Sequence, residues 1–247
     1  FDKDGDTDLF VGGRVSPGNF PMNNPGAILR NETRVGKISL VVATNEVNPD
    51  LRTPGMVTDA CWTDFNNDSW PDLMIVGHWM PVRLFENQQG KLLEVKNDVL
   101  SGSNGLWNRI TPVDFDKDGD TDYVLGNAGS NIPWRINDQQ PLTVYYGDFN
   151  ADEKIDPILC YSTEGKEYPL ASRDEMLGQL TTLRKKFKTY DSYARATIKD
   201  ILEPAQLAET KKLRVTNVES SLLENLGNKE FRLTPLPPEA QISGVNA

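Results

Sequence analysis

This chain of 247 residues contains one histidine and two cysteines. Zinc takes most of its ligands from those two residue types, so a zinc centre is excluded. Cys61 stands just before one of the acidic motifs described below and Cys160 just after another. Both are expected as buried strand thiols instead of a disulfide. No apolar run approaches the ~18 residues that a membrane-spanning helix needs. No Gly-x-Ser-x-Gly elbow, Walker loop or Gly-x-Gly-x-x-Gly turn is present, which removes the common serine-hydrolase and nucleotide-binding signatures. The chain shows no signal peptide and no initiator methionine. Positive charge is scarce too: 26 Lys and Arg face 36 Asp and Glu, a net charge of -10. An acidic surface argues against nucleic acid and anionic membrane as partners.

The acidity is concentrated. Residues 1–160 carry 24 acids against 13 bases, whereas residues 161–247 carry 12 against 13. Fifteen aspartates belong to one motif written four times, an aspartate ladder that leads into a short apolar strand. The fullest copy is Asp114-Phe-Asp116-Lys-Asp118-Gly119-Asp120-Thr-Asp122, followed by Tyr123-Val-Leu-Gly126. A second is Asp64-Phe-Asn66-Asn-Asp68-Ser69-Trp70-Pro-Asp72, and another is Asp148-Phe-Asn150-Ala-Asp152-Glu153-Lys154-Ile-Asp156. The first copy in the chain begins at Phe1 and runs through Asp2, Asp4, Gly5, Asp6 and Asp8, without a residue at ladder position 1.

Oxygen-bearing side chains at positions 1, 3, 5 and 9, with a sharp turn near position 6 where glycine is favoured, form a cage for a hard divalent cation. Ca2+ accepts six to eight oxygens in flexible geometry, whereas Mg2+ holds to an octahedron and keeps its waters. Five aspartates in nine residues, as in the third ladder, repel one another by several kcal/mol at an effective dielectric of about 20 unless a cation lies among them. A helix-loop-helix calcium sensor requires Glu at position 12 and flanking helices; here position 12 is Leu125 and strands follow. Three or four Ca2+ sites are therefore expected. The third ladder should be the tightest, because it has carboxylates at all four side-chain positions while the second and fourth carry Asn66 and Asn150. Those two also carry Ser69 and Glu153 where glycine would suit the turn.

The closing aspartates Asp8, Asp72, Asp122 and Asp156 are separated by 64, 50 and 34 residues, a constant unit with variable loops. Leu84 to Val95 reads as a hairpin around Gln89-Gly90, Leu222 to Leu233 repeats its wording, and Ile28 to Val42 is a third version. Short strands in fours with turn residues between them are the signature of propeller blades. The expected fold is therefore all-β: a partial ring of about four blades spanning residues 1–170 and returning over 213–247. A helical insertion is expected at 171–212. There Ser172-Arg-Asp-Glu175 is a capping box, and Met176, Leu180, Leu183, Phe187 and Tyr190 recur at helical spacing. Ala194, Ile198, Ile201 and Leu202 form a second stripe, and Pro204 suits the first turn of a third helix. The insertion is expected as an appendage outside the blades.

These ladders, the Leu-x-Glu-Asn-x-x-Gly hairpins and the segment Gly126-Asn-Ala-Gly129 resemble the FG-GAP or VCBS-repeat proteins, the integrin-α-like β-propellers, most nearly the bacterial relatives of cartilage acidic protein. The resemblance implies that each ladder joins the first two strands of a blade and binds Ca2+. It implies ligands at Asp114, Asp116, Asp118 and Asp122 with the carbonyl of Asp120. It likewise implies Asp64, Asn66, Asp68 and Asp72 with the carbonyl of Trp70, then Asp148, Asn150, Asp152 and Asp156 with that of Lys154; the first loop offers Asp2, Asp4, Asp6 and Asp8 by the same spacing, a site incomplete without position 1. It also implies a secreted or surface-attached protein and a full ring of usually seven blades. The chain is accordingly expected as a piece of a larger ring; the alternative is that residues 240–247 supply the strand ahead of Phe1 and the two ends share one blade.

The expected function is a non-catalytic, calcium-stabilised extracellular module that binds a protein or glycan at the cell surface, with Trp79, Trp107 and Trp134 as candidate contacts where they are not core. The alternative is a propeller-based hydrolase or lyase acting on polysaccharide or phosphoester. Its one unperturbed general base near neutral pH would be His78, just after a strand.

Overall fold

The structure is a computed structural model that describes residues 1–245. It is mostly β, built from several antiparallel sheets with a few short helices. Its contacts divide the chain into two units, residues 1–15, 23–132 and 217–247 in one and residues 16–22 and 133–216 in the other. These boundaries differ from the expected ones at 170 and 212.

The first unit contains three sheets. Sheet 1 is β1 (Leu9–Val11), β2 (Ala27–Asn31) and β3 (Leu40–Val42). Sheet 2 is β4 (Met56–Thr63), β5 (Asp72–Met80), β6 (Arg83–Gln88) and β7 (Lys91–Glu94), with β8 (Gly105–Leu106) on the far end of β5. Sheet 3 is β9 (Arg109–Val113), β10 (Asp122–Gly126), β15 (Ser221–Asn225) and β16 (Phe231–Pro235). Two short helices, α1 (Thr44–Val47) and α2 (Asp98–Gly102), lie in this unit's connections. In sheets 2 and 3 a ladder joins the first two strands, so its last aspartate opens the second strand.

Hydrophobic period explains how the sheets stack. A strand with one buried face alternates, but Leu73-Met74-Ile75-Val76 is apolar at every position, which calls for burial on both faces. All four residues are at most 1 % exposed. Leu73 and Ile75, with Phe85 and Leu92, pack against Phe1, Phe10 and Ile28 from sheet 1. Met74, Val76 and Leu84 point the other way, into Ile110, Tyr123, Leu125, Leu223 and Phe231 from sheet 3 and Trp107 from the connection just before it. A register slip between Val57 and Asp59 adds a hydrogen-bonded join. Thr58 Oγ1 donates to the Trp107 carbonyl at 2.7 Å, and Asp59 accepts the Ile110 N–H at 2.9 Å. A bulge of this kind re-aims side chains at a strand end.

The expected hairpins form. Gln89 and Gly90 both take positive φ, the pair of left-handed residues that a two-residue turn needs. The third version begins later than its wording suggests, with β3 opening at Leu40. Residues 240–245 make no strand ahead of Phe1. Gln241 is buried and bonds both ways to the Ser220 backbone, and the Val245 N–H reaches the Asn127 carbonyl. Residues 246 and 247 lie outside the described residues.

The second unit is spliced in sequence between β10 and β15, the second and third strands of sheet 3. It contains β11 (Leu142–Gly147), β12 (Asp156–Thr163), β13 (Lys166–Pro169) and β14 (Lys211–Val215) in the order β13-β12-β11-β14. The Leu222–Leu233 hairpin therefore belongs with the third ladder, and the fourth ladder serves a separate sheet. The capping box at Ser172 and Glu175 forms, opening α3 (Arg173–Gln179). The stripe that follows is not one helix. Thr181-Thr182, poor helix formers, lie in a 3-10 turn, and Thr189 caps a new start. From there run α4 (Tyr190–Ala194), α5 (Ile198–Ile201) and α6 (Pro204–Glu209), the last with Pro204 in its first turn. The restart changes phase, so Tyr190 is 66 % exposed and Tyr193 takes the buried place, as Ala196 does for Ala194.

Nor are these helices an appendage. Met176, Leu177, Leu180, Leu183, Phe187, Tyr193, Ile198, Ile201 and Leu202 share one core with Tyr145, Ile158 and Cys160 from the sheet. Helices this short are unstable alone and need such a surface. Met176, fully buried, should cost about 2–5 kcal/mol when cut to alanine. Hydrogen exchange would show it as lost amide protection in β11 and β12; unchanged protection there would mean that the sheet stands without the helices.

Candidate metal centres in the ladder loops

All four ladders take one backbone path. Position 6 is left-handed in each, at Gly5, Ser69, Gly119 and Glu153, with φ of 101°, 68°, 97° and 65°. Position 4 is left-handed as well, at Lys3, Asn67, Lys117 and Ala151, a feature that residue type does not announce. Non-glycine residues held there cost about 1–2 kcal/mol each, so the loops are over-determined by what surrounds them. Asx-type bonds do much of this: Asp68 N–H to Asn66, Trp70 N–H to Asp68, Asp118 N–H to Asp116, Asp120 N–H to Asp118, and their counterparts in the other loops.

The closing aspartate is the fixed point. Asp8, Asp72, Asp122 and Asp156 are all at most 6 % exposed. One oxygen of each accepts from the main-chain nitrogen at position 2: Phe65 at 3.1 Å, Phe115 at 3.0 Å, Phe149 at 3.0 Å, and the Phe1 amino group. In sheets 1 to 3 the other oxygen accepts the N–H of an asparagine on the strand that pairs with the one following the aspartate: Asn31 on β2 at 2.8 Å, Asn87 on β6 at 2.7 Å and Asn225 on β15 at 2.9 Å. Two acceptors are needed at once, which a carboxylate provides and an amide does not. The asparagine side chain then reaches across to the neighbouring sheet. Asn87 Nδ2 donates to the Phe1 carbonyl and Asn225 Nδ2 to the Phe65 carbonyl, each at 2.8 Å. Each clasp thus joins one sheet to the preceding ladder.

The third ladder brings carboxylates together. Oxygens of Asp114, Asp116 and Asp122 lie within 4.8 Å of one another. Asp120 Oδ1 is buried without a hydrogen-bond partner. Burial, followed by the charge of Asp118, pushes the Asp120 carboxyl up to about 6. Burial also pushes Asp72 up to about 7, against the lowering effect of the Asn87 and Phe65 N–H groups. An all-oxygen donor set with crowded acids and an orphaned oxygen fits a hard cation such as Ca2+, with Asp114, Asp116 and Asp122 as its holders.

Among the described residues the other loops form no such cluster. Asp64 and Asp148 turn onto the N–H groups of their own loops, at Asp68 and Ser69 and at Asp152 and Glu153. Asn66 donates to Asp68 at 2.9 Å, and Asp2 and Asp4 cap the backbone of the first loop. Trp70 carries Lys3 Nζ 4.2 Å above its ring.

Two of the loops and the strands between them match a known repeat. Residues 64–125 are an FG-GAP-like repeat. The match begins at the second ladder and ends in the strand after the third, so the FG-GAP-like repeat takes in one complete hairpin and two closing aspartates. No curated protein and no solved structure matches the chain.

The other candidates fall elsewhere. Trp107 is fully buried and Trp79 is 7 % exposed, so neither can meet a ligand. Trp134 is half-buried and begins a stacked row with Tyr161 and Tyr168, ring centroids 6.3 Å and 5.7 Å apart. Pairing signals across β12 and β13 place Tyr161 opposite Tyr168, but the row itself depends on Trp134 arriving from a loop, which no periodicity reveals. His78 Nδ1 lies 3.0 Å from the Arg14 guanidinium and Nε2 lies 2.9 Å from Asn108 Oδ1. Arg14 donates to Nδ1, so Nε2 carries the proton and donates to Asn108. Burial first, with Arg14 adding to it, holds the imidazole below its ordinary 6.5. Both cysteines are free thiols, Cys160 buried and Cys61 partly so, and burial pushes Cys61 up to about 12.

The clasp yields a measurable cost. Asn87→Ala or Asn225→Ala leaves a buried carbonyl unpaired and should lower unfolding stability by about 1–3 kcal/mol. Urea titration measures it; an unchanged midpoint for both variants would show that the clasps do not hold the sheets together.

Proposed function

We propose that this chain is a calcium-stabilised module of β-propeller blades, displayed outside the cell, that binds a protein or glycan and catalyses no reaction. The observation that carries it is the meeting of Asp114, Asp116 and Asp122 inside a loop whose backbone is repeated four times. A loop reused in the same place of successive sheets serves architecture, since a catalytic constellation is needed only once. Sheets 1 to 3, stacked face to face through Phe-bearing ladders, supply the blades. When bound, Ca2+ would supply charge neutralisation to the acidic loops; the residues that would hold it are Asp114, Asp116 and Asp122, with the remaining ladder acids as weaker counterparts. Outside the cell, where Ca2+ reaches the millimolar range, weak sites of this class are filled.

For the ligand surface, the Trp134, Tyr161 and Tyr168 row is the best support. Flat, half-exposed aromatic faces with polar edges suit sugar rings or an extended protein contact. A propeller-based hydrolase or lyase is the second reading. His78 gives it little help, because both ring nitrogens are already engaged and neither is available to take a substrate proton.

Binding to the folded form alone adds RT ln(1 + [L]/Kd), about 2.7 kcal/mol per site at a hundredfold excess over Kd. Millimolar Ca2+ should therefore raise the melting temperature, with Mg2+ raising it less. Asp116→Asn should remove more of that rise than Asp68→Asn. A melt indifferent to chelation would end the calcium reading, and an equal loss in the two variants would end the priority of the third loop.

The ligand surface is tested separately by retention on immobilised glycans. Trp134→Ala and Tyr161→Ala should reduce binding at least tenfold relative to the unaltered chain, with Ca2+ stabilisation intact. Retention that survives both changes would move the ligand site off the aromatic row.

A further inference from the structure

The sheet of the second unit carries a polar cavity where its helical cover ends. Paired strand positions share a face. The register of β11 to β14 therefore puts Thr143, Tyr145, Cys160, Ser162, Glu167, Lys212 and Arg214 on one side. Tyr145 and Cys160 lie in the core shared with the helices. The other five line a cavity of about 260 Å3, bordered also by Gln139, Pro141 and Gly165. Tyr161 and Tyr168, one residue out of step with this row, belong to the opposite face of the sheet.

Thr143 is the residue that packing does not explain. It is fully buried, and its Oγ1 has no hydrogen-bond partner among the described residues. Buried hydroxyls are normally bonded, so an unbonded one at the floor of a cavity marks where a ligand atom completes the set. The walls define that ligand. Lys212 and Arg214 bring two positive charges, and Arg214 spends only one N–H on the Asp138 carbonyl, at 3.4 Å. Glu167 brings one acceptor, held in place by the Tyr145 hydroxyl that donates to it. Gly165 and Glu167 also border a second cavity, edged by Lys166, Arg195, Lys199 and Asp200. Basic residues thus outnumber acids along both cavities, in a chain whose net charge is -10. Lysine on an edge strand such as β14 often serves only to block strand pairing. That role accounts for the charges and leaves the unbonded hydroxyl beside them unexplained.

We propose that this cavity binds a sugar acid, with the carboxylate on Lys212 and Arg214 and ring hydroxyls on Glu167 and Thr143. The planar guanidinium matches a carboxylate, and a carboxylate acceptor matches a hydroxyl donor. A neutral sugar offers nothing to the two bases, and an inorganic anion without protons offers nothing to Glu167. The volume suits a single ring, since drug-sized ligands occupy about 300–1,000 Å3. The inference rests neither on calcium nor on the aromatic row of the opposite face, and the failure of either leaves it standing.

An NMR titration of the 247-residue chain with glucuronate, glucose and sulfate as separate probes tests it. Glucuronate should shift amides of β11 and β14, glucose should not, and sulfate should bind at least about tenfold more weakly than glucuronate. Arg214→Gln and Lys212→Ala, both at exposed positions, should each weaken glucuronate about tenfold. Lys185→Ala removes an exposed lysine of the same unit that does not line the cavity, and should leave the affinity within about twofold. Thr143→Val keeps the shape and removes the unbonded hydroxyl, so the melt should hold or rise while glucuronate binding falls several-fold. Absence of glucuronate binding overturns the proposal. So does sulfate bound as tightly as glucuronate, or unchanged affinity in Thr143→Val. A shift of the Trp134 indole N–H, with Arg214→Gln binding as before, would put glucuronate on the aromatic row and likewise overturns it.

Discussion

A buried carboxylate with two masters organises this molecule. The closing aspartate of each ladder ends a loop, begins a strand and, in sheets 1 to 3, ties both to the adjacent strand through one N–H on each oxygen. Burial makes such a group costly unless it is fully bonded, so the loop path and the strand register are fixed together. Left-handed backbone at Ser69 and Glu153, where glycine would be easier, shows how strongly the rest of the loop dictates the path. The asparagine that meets the carboxylate then reaches the neighbouring ladder, so the same device that closes a loop also spaces the sheets.

That arrangement sets the electrostatic problem that the outer ladder residues must solve. Asp72 and Asp122 are anchored as acceptors and cannot turn away from the carboxylates ahead of them. In the second loop the tension is relieved by Asp64, which bonds to backbone N–H groups, and by Asn66, which offers a donor to Asp68. In the third loop Asp116 replaces that donor with another acid, and Asp114, Asp116 and Asp122 converge. Asn against Asp at position 3 thus separates the second loop, which has an amide donor of its own, from the third, where three carboxylates converge.

Much of this was legible in the residues. The ladders, their strands, the Gln89-Gly90 hairpin and the capping box at Ser172 rest on local rules of turn geometry, alternation and capping, and local rules survive folding. What escaped was non-local. That Leu222 to Leu233 pairs with the third ladder's strand, across the whole second unit, depends on a contact over about a hundred residues that no periodicity encodes. The helical stripe from Met176 to Tyr190 failed for a smaller reason: Thr189 restarts the helix, and a restart shifts phase without altering the spacing of apolar residues. Trp79 and Trp107 were candidate contacts only where they were not core, and their burial, which residue type does not reveal, makes them core.

The splice itself follows from loop physics. Closing a longer loop costs only about 0.6 kcal/mol for each doubling of length, so a folded unit can enter between β10 and β15 if its own ends come back together. They do: β14 pairs with β11, which brings the end of the second unit beside its beginning. Within that unit the fourth ladder keeps the left-handed turns and the carboxylate bond to Phe149, yet its third strand, Lys166–Pro169, offers no asparagine. The Phe149 carbonyl is satisfied instead by Gln206 from α6. The loop is therefore the transferable part, and the amide that answers it is drawn from whatever element packs beside it, strand in one unit and helix in the other.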